Sequence, residues 1–353
     1  MSTPVFDLPA TREATSPPEA RGLARDEVRL LVARAPGDIT HTRFTHLADH
    51  LEPGDLLVVN DSATLPAAVN GLHGDGDDRS LTVHFSGPLP GDGDFPVWVV
   101  ELRSGPRADG PITDAVAGEH ARLPSGARLT LLGSYPDGRR TSDRLWAAHL
   151  DHANADVPSY LSAHGRPITY SYVDRAWPLA DYQTVFATKP GSAEMPSAAR
   201  PFTPAVLRDL VRRGVFVATV TLHTGVSSPE AGEPPIPERY DVPAATADLV
   251  NLTRSRGRRV VAVGTTVTRA LETVASPDGV VVAGSGVTDL VLGPDRPARV
   301  VNGLVTGWHA PGASHLSLLE AVAGSELVSV AYDEAIKQGY LWHEFGDSCM
   351  LLR

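Results

Sequence analysis

The 353-residue chain has a single cysteine, Cys349, and only two lysines, Lys189 and Lys337. One cysteine excludes an intramolecular disulfide and any metal site built from several cysteines. Acidic residues outnumber basic ones, and the formal net charge is -11. That balance argues against a protein whose whole surface binds nucleic acid, because phosphate contacts need clustered lysine and arginine. The negative net charge does not exclude a local basic patch.

Long apolar runs are also missing. No run approaches the roughly 18 to 20 residues that a membrane span requires. The first 22 residues contain Asp7, Glu13 and Glu19 and no apolar core of the kind that secretory signals have. We therefore expect a cytoplasmic, globular protein without a membrane partner, with one large domain or two. Its oligomeric state stays open.

Several common site motifs are absent. The sequence has no G-x-G-x-x-G, no G-K-[ST], no H-E-x-x-H and no G-x-S-x-G. Two histidine pairs have helical spacing, His46 with His50 and His149 with His152, but neither pair has a convincing third ligand nearby. The sequence therefore predicts no metal site.

The apolar pattern predicts a mixed α/β main domain in residues 1–69 and 157–353. Its strands are expected at 28–32, 56–59, 215–222, 259–263 and 300–306, and its helices at 44–51, 204–213, 244–256, 267–274 and 314–324. Residues 70–156 have a different pattern, with short strands at 81–85, 97–102, 127–132 and 145–150. Gly-, Pro- and Asp-rich turns at 71–78, 87–94, 105–111 and 135–140 separate them. This pattern indicates an inserted all-β domain.

One segment combines a strand, a tight turn and the start of a helix. The strand-like run at 259–263 leads into Gly264, Thr265 and Thr266, and the helix that follows carries Arg269 and Glu272. Free backbone N–H groups and hydroxyls at such a point suit a carboxylate, a phosphate or ribose hydroxyls. Alternatively, one of the threonines merely caps the helix.

Two histidines, His223 and His309, each follow an apolar strand and precede a glycine-containing turn. Ligands of α/β folds gather where strands end, so both histidines could face one cleft. Each could equally be a structural histidine. Asp347 lies in an aromatic and apolar run, where it is either a site carboxylate or a buried hydrogen-bonding residue.

Ordered motifs along nearly the whole chain resemble the S-adenosylmethionine:tRNA ribosyltransferase-isomerase family of the queuosine pathway. The matching segments are Gly54-Asp55-Leu56-Leu57-Val58-Val59-Asn60-Asp61, Tyr182-Gln183-Thr184-Val185-Phe186-Ala187, Thr221-Leu222-His223, residues 259–266 with Arg269 and Glu272, Thr306 with His309 and Pro311, and Gly346-Asp347. The resemblance implies a mixed α/β, barrel-like main domain with an inserted small all-β domain.

The resemblance also implies an activity. Enzymes of this family transfer and isomerise the ribosyl part of S-adenosylmethionine, their co-substrate, onto a 7-aminomethyl-7-deazaguanine base in tRNA, and they release adenine and methionine without a metal. Mapped onto this chain, the expected catalytic residues are His223, His309, Glu272 and Asp347. The expected substrate-binding residues are Asn60, Tyr182, Gln183, Glu238, Gly264, Thr265, Thr266, Arg269 and Trp308.

Some motifs of the family are altered here. A-A-P-T-A-G-L-H-F-T reads Glu194-Met195-Pro196-Ser197-Ala198-Ala199-Arg200-Pro201-Phe202-Thr203, and the closing Y-R-F-x-S-Y-G-D reads Tyr340-Leu341-Trp342-His343-Glu344-Phe345-Gly346-Asp347. The H-x-M-H-[SA]-E segment keeps only Glu238, and two basic residues after Asn60-Asp61 are gone. The altered motifs stand beside others that are kept. We would expect this contrast if the side of the site that binds the nucleoside or methionine were conserved and the side that binds the acceptor had changed.

The acceptor therefore stays open. A tRNA acceptor requires a basic surface, for which Arg166, Arg175 and Arg200 are the candidates. A small-molecule acceptor favours a closed pocket lined by Met195, Pro196, Pro201 and Trp308. Two further alternatives are an S-adenosylmethionine lyase and a non-catalytic S-adenosylmethionine-binding protein.

Overall fold

The computed structural model describes residues 6–74, 79–89, 96–136, 144–152, 156–226 and 235–353. The strands in these ranges are β1 (Arg29–Arg34), β2 (Asp38–Arg43), β3 (Leu56–Asn60), β4 (Ser62–Thr64), β5 (Ala68–His73), β6 (Ser80–Pro88), β7 (Val97–Ser104), β8 (His120–Arg122), β9 (Arg128–Ser134), β10 (Leu145–Asp151), β11 (Lys189–Ser192), β12 (Phe216–Leu222), β13 (Glu238–Val242), β14 (Val260–Val263), β15 (Gly284–Thr288), β16 (Gly303–Gly307) and β17 (Ser348–Leu352). The α-helices are α1 (Val157–His164), α2 (Pro204–Arg212), α3 (Ala244–Ser255), α4 (Thr265–Thr273), α5 (His315–Ala323) and α6 (Ser325–Lys337).

A nine-stranded mixed sheet forms the main domain, in the order β15-β13-β12-β3-β14-β16-β17-β1-β2. Its centre is buried on both faces, as in other parallel sheets covered by helices. Leu56 and Val58 of β3 pack into one apolar cluster, whereas Leu57 and Val59 pack into another. The continuous apolar run of β3 follows from this two-sided burial.

Four adjacent strands of this sheet, β12, β3, β14 and β16, run parallel. Their carboxyl ends therefore meet at one edge of the sheet, where ligands of α/β folds bind. Strand β17 is antiparallel to β16, so the residues just before β17 also reach that edge. Residues 60, 222, 263 and 307, which end the four parallel strands, mark the place where the site is assembled.

The inserted part is a closed barrel of six strands, β10-β7-β6-β5-β8-β9. Its interior is an apolar cluster that includes Val83, Val100 and Leu129. Strand β4, which follows β3, pairs with β11 in a two-stranded sheet that links the barrel to the main domain. The mixed α/β fold with an inserted all-β part is thus confirmed. The barrel strands run from Ala68 to Asp151, and the domain boundaries stay a prediction.

Some local expectations differ from the structure. The helix expected at 44–51 is a 3-10 helix, Phe44–His50, which buries Phe44 and Leu47. The strand expected at 300–306 begins only at Gly303. Parts of the turns expected at 71–78, 87–94 and 135–140 lie outside the described residues.

No helix of the described ranges is long and apolar enough to cross a bilayer. Within the same ranges, no group of three His, Cys, Asp or Glu side chains is arranged so that it could hold a metal ion.

Candidate active site

A cavity of about 410 Å³ lies at the carboxyl edge of the sheet, within the size range of small-molecule sites. Its walls come from the turns after β14 and β16, the segments around 168–182 and 193–198, and the turn before β17. The principal lining residues are Tyr170, Tyr172, Tyr182, Glu194, Met195, Pro196, Gly264, Thr265, Thr266, Thr306, Trp308, His309, His315, His343 and Glu344.

The turn after β14 supplies one side of the cavity. Gly264 has a φ of 93°, which favours glycine, and its N–H donates to Val305 O at 2.8 Å. Helix α4 begins at Thr265 without a side-chain cap, so neither threonine is the capping residue. The N–H groups in the first turn of a helix have no partner within that helix. Thr265 and Thr266 therefore bring hydroxyls and the helix start to the cavity.

Asn60 supports this turn from behind. Its Nδ2 donates to Leu222 O at 2.8 Å and to Thr266 Oγ1 at 3.3 Å, and its Oδ1 accepts from Leu222 N. Asn60 is fully buried and does not line the cavity. Asn60, which was predicted to bind the substrate, is thus placed to hold the Thr266 side chain.

His309 lies on the cavity wall after β16. Its Nε2 is 3.1 Å from Thr306 Oγ1, and its ring stacks on His315 with centroids 4.6 Å apart. Burial lowers the pKa of His309 well below its usual value, and the nearby His315 and His343 lower it further. The imidazole is therefore neutral at pH 7 and can accept a proton.

Two tyrosine–glutamate pairs also line the cavity. The Tyr172 hydroxyl donates to Glu344 Oε2 at 2.6 Å, and the Tyr170 hydroxyl donates to Glu194 Oε1. The two phenol rings stack at 6.0 Å, and the His343 ring stacks on Tyr172 at 4.1 Å. Burial raises the pKa of Glu344 to about 7, although the Tyr172 hydrogen bond lowers it. Motif reasoning missed both acids as site residues, yet both are among the positions where the motifs are altered.

His223 does not meet His309. It lines a separate cavity of about 40 Å³, where its Nδ1 is 2.8 Å from Ser62 Oγ. Burial, followed by the charge of Arg239, lowers its pKa to about 4. The two strand-end histidines therefore occupy different environments.

Arg269 and Glu238 form a buried ion pair beside a third cavity of about 90 Å³, which Thr265 and Thr266 also line. The guanidinium donates in addition to the carbonyl oxygens of Leu290, Ile236 and Thr288, at 3.2, 3.2 and 3.1 Å. Its donors are thus engaged by the protein, and the substrate-binding role expected of Arg269 stays a prediction.

Three further predicted residues hold backbone groups outside the cavity. The Glu272 carboxylate accepts from the N–H groups of residues 299–301. Asp347 accepts from Arg29 N and Leu341 N, both at 2.9 Å. Gln183 bonds both backbone groups of Thr64. The Glu272 and Asp347 carboxylates do not line the cavity, and the catalytic roles predicted for them stay a prediction.

The candidate arginines are largely occupied by protein groups. Arg200 is 2% exposed, and it donates to Glu19 Oε2 at 3.0 Å and to Asp181 O at 2.9 Å. Arg166 donates to Asn70 Oδ1 and Pro106 O. Only Arg175 is exposed, with its guanidinium 4.0 Å from the centre of the Trp177 ring. Of the lining expected for a small-molecule pocket, Met195, Pro196 and Trp308 do line the cavity, and Pro201 does not.

Comparison with known proteins agrees with the motif resemblance. Residues 1–351 match the family described as queuosine biosynthesis protein. The S-adenosylmethionine:tRNA ribosyltransferase-isomerase of Acidiphilium cryptum is 37% identical, over 99% of this chain and 98% of that protein. The protein of that name from Moorella thermoacetica is 34% identical, over 98% of each chain. The crystal structure of S-adenosylmethionine tRNA ribosyltransferase from Thermotoga maritima superposes with a TM-score of 0.53 at 27% identity, covering 99% of this chain and 100% of that one.

Proposed function

The chain belongs to the queuosine biosynthesis protein family, and we propose that it catalyses the reaction for which its relatives are named. In that reaction the ribosyl part of S-adenosylmethionine is transferred to tRNA and isomerised, and adenine and methionine are released. The acceptor is a 7-aminomethyl-7-deazaguanine base. We propose the cytoplasm, where tRNA is available, as its compartment.

One observation carries the proposal. Family motifs that are far apart in the sequence converge on the same cavity: Tyr182, the turn from Gly264 to Thr266, and Thr306 with His309. A cavity of about 410 Å³ at the carboxyl edge of parallel strands suits a nucleoside-sized ligand.

The residues of the cavity suit the chemistry of a sulfonium. The positive sulfur of S-adenosylmethionine acidifies the adjacent C5′ hydrogens and makes methionine a good leaving group. His309, neutral because it is buried, is our candidate for the base that takes a C5′ proton. Thr265, Thr266 and the start of α4 are the candidates for holding the carboxylate or the ribose hydroxyls.

A small-molecule acceptor is the second candidate. Among the described residues that line the cavity, none is lysine or arginine, and Arg200 is buried in ion pairs. The described lining of the cavity thus offers no lysine or arginine to the phosphates of tRNA, which is the observation that favours a small-molecule acceptor.

Release of adenine and methionine tests the proposal. We expect the protein to form both products from S-adenosylmethionine only when tRNA carrying 7-aminomethyl-7-deazaguanine is present. Release with the free base instead would establish the small-molecule acceptor, and release without any acceptor would establish a lyase. No release under any condition would contradict the proposed activity and favour a binding protein.

The contribution of tRNA phosphates can be tested at Arg175, because this arginine is exposed. For a tRNA acceptor, Arg175→Ala should weaken tRNA binding at low salt, since each lost phosphate contact reduces affinity and its salt dependence. Arg256→Ala, which removes an exposed arginine at the end of α3, is the matched control. Arg200→Ala is unsuitable because it removes a buried side chain that pairs with Glu19.

A further inference from the structure

The cavity of about 90 Å³ adjoins the main cavity of about 410 Å³, and we call it the side cavity. The residues that line both cavities are Thr224, Thr265, Thr266 and His315. The two cavities therefore meet beside the first residues of α4. A ligand built of several linked parts can occupy both of them at once.

The side cavity is largely apolar. Its lining includes the aliphatic side chains of Ile236, Leu290, Leu292 and Leu318. An uncharged ring gains free energy when it leaves water for such surroundings, whereas a charged group loses its hydration there. The lining thus favours an uncharged part of a ligand.

The charged groups of the side cavity satisfy each other. Glu238 and Arg269 are the only charged residues of its described lining, and they form an ion pair. The second oxygen of Glu238 accepts from Gly225 N at 2.8 Å, and Arg269 donates to three carbonyl oxygens as well. A ligand carboxylate or ammonium group would have to break this buried pair, which is costly. The amino-acid part of S-adenosylmethionine therefore does not suit the side cavity.

His315 is the polar group that the side cavity leaves available. Its ring stacks on His309, with centroids 4.6 Å apart and planes 3° from parallel, and within the described residues its nitrogens form no hydrogen bond. Burial, followed by the charge of Arg269, lowers the pKa of His315 to about 4. The imidazole is therefore neutral at pH 7, with one donor and one acceptor nitrogen. Adenine carries the same combination on one edge, an amino group beside a ring nitrogen.

We infer that the side cavity binds the adenine ring of S-adenosylmethionine, while Thr265 and Thr266 face the ribose and the sulfonium lies in the main cavity. The inference rests on the proposed function, because it places the co-substrate of that reaction. The order follows the molecule, in which the ribose joins adenine to C5′. His309 stacks on the main-cavity side of His315 in this arrangement, which is the side where C5′ lies.

The threonines at the junction suit a ribose. Thr265 is 9% exposed, and within the described residues its hydroxyl forms no hydrogen bond. The N–H groups of the first turn of α4 have no partner in that helix. Ribose hydroxyls, which both donate and accept, can pair with these groups.

Calorimetry with two ligands tests the inference. Leu318 lines the side cavity but not the main cavity and is 5% exposed, so Leu318→Trp places a larger ring in the side cavity. We expect this variant to bind adenosine about tenfold or more weakly than the native protein. Its affinity for 7-aminomethyl-7-deazaguanine should be unchanged, which also shows that it is folded. Val282→Trp, at a residue that is 58% exposed and lines neither cavity, should bind both ligands as the native protein does.

The contact with His315 has its own readout. The probe is purine riboside, which is adenosine without the 6-amino group, and we expect the native protein to prefer adenosine. His315→Leu should bind adenosine about tenfold more weakly, as for lost hydrogen bonds, and should lose most of this preference. His315→Gln, which can still donate and accept, should keep part of it. A merely structural role of His315 would weaken both ribosides equally.

Three results overturn the inference. The first is no binding of adenosine to the native protein at millimolar concentration, and the second is native adenosine affinity in Leu318→Trp. The third is a folded Leu318→Trp that loses the deazaguanine as much as adenosine, because the side cavity would then hold the acceptor base. If Leu318→Trp does not fold, the riboside preference of His315→Leu decides, and an unchanged preference overturns the inference. Failure of the proposed function is separate, because it appears as absent adenine release in a protein that still binds adenosine in the side cavity.

Discussion

Replacement of His309 by glutamine is expected to slow the release of adenine about 100- to 10,000-fold, the usual contribution of a general acid or base. His309 lines the main cavity, and its imidazole is neutral because it is buried. Glutamine can keep a hydrogen bond to Thr306 but cannot take a proton from C5′. The measurement is a single-turnover assay with saturating S-adenosylmethionine and acceptor.

His223→Gln is the matched control for this experiment. His223 also follows a strand end, but it lines a different cavity and contacts Ser62. We expect its replacement to leave the single-turnover rate nearly unchanged. A large loss of rate in His223→Gln, with little loss in His309→Gln, would show that His223 is the base and would contradict our assignment.

The Arg269→Met variant is expected to lose about 3 to 5 kcal/mol of unfolding free energy, as when one partner of a buried ion pair is removed. Methionine leaves the Glu238 carboxylate without its partner and also removes the donors to Ile236 O, Thr288 O and Leu290 O. Urea denaturation measures the loss. Arg256→Met, at an exposed position, should change stability little.

The loss should depend on pH in a defined direction. Burial already raises the pKa of Glu238, and Arg269 opposes that rise. Without Arg269 the folded-state pKa rises further above the unfolded value, so the folded protein binds more protons and stability falls as the pH increases. The deficit should shrink toward acidic pH, and adding Glu238→Gln should recover part of it. A deficit independent of pH would contradict this explanation.

The sequence predicted the strands that carry the site, because their apolar runs are buried on both faces. It also predicted the turn from Gly264 to Thr266, since few residues other than glycine adopt the φ of 93° found there. It could not separate His223 from His309. Their strands, β12 and β16, are three positions apart in the sheet, about 14 Å at the usual strand spacing, and strand order is not visible in the apolar pattern.

Other features of the site were hidden from the sequence for similar reasons. Glu272 is seven residues after Thr265 on α4, about 10 Å along the helix axis, so it reaches the backbone of residues 299–301 and not the cavity. Glu194 and Glu344 lie in loops without periodicity, 150 positions apart. Only the altered motifs could have indicated them, and their pairing with Tyr170 and Tyr172 depends on the tertiary fold.

The central claim is that S-adenosylmethionine binds in the cavity that the turn after β14 and the two tyrosine–glutamate pairs line. A pair of tryptophan variants in one loop tests it by calorimetry. Ala310 lines the cavity and Ala313, three residues later in the same loop, does not. We expect Ala310→Trp to weaken S-adenosylmethionine binding at least about tenfold, equivalent to 1.4 kcal/mol, and Ala313→Trp to leave it unchanged. Native-like affinity in Ala310→Trp, or no binding to the native protein at millimolar S-adenosylmethionine, would contradict the account.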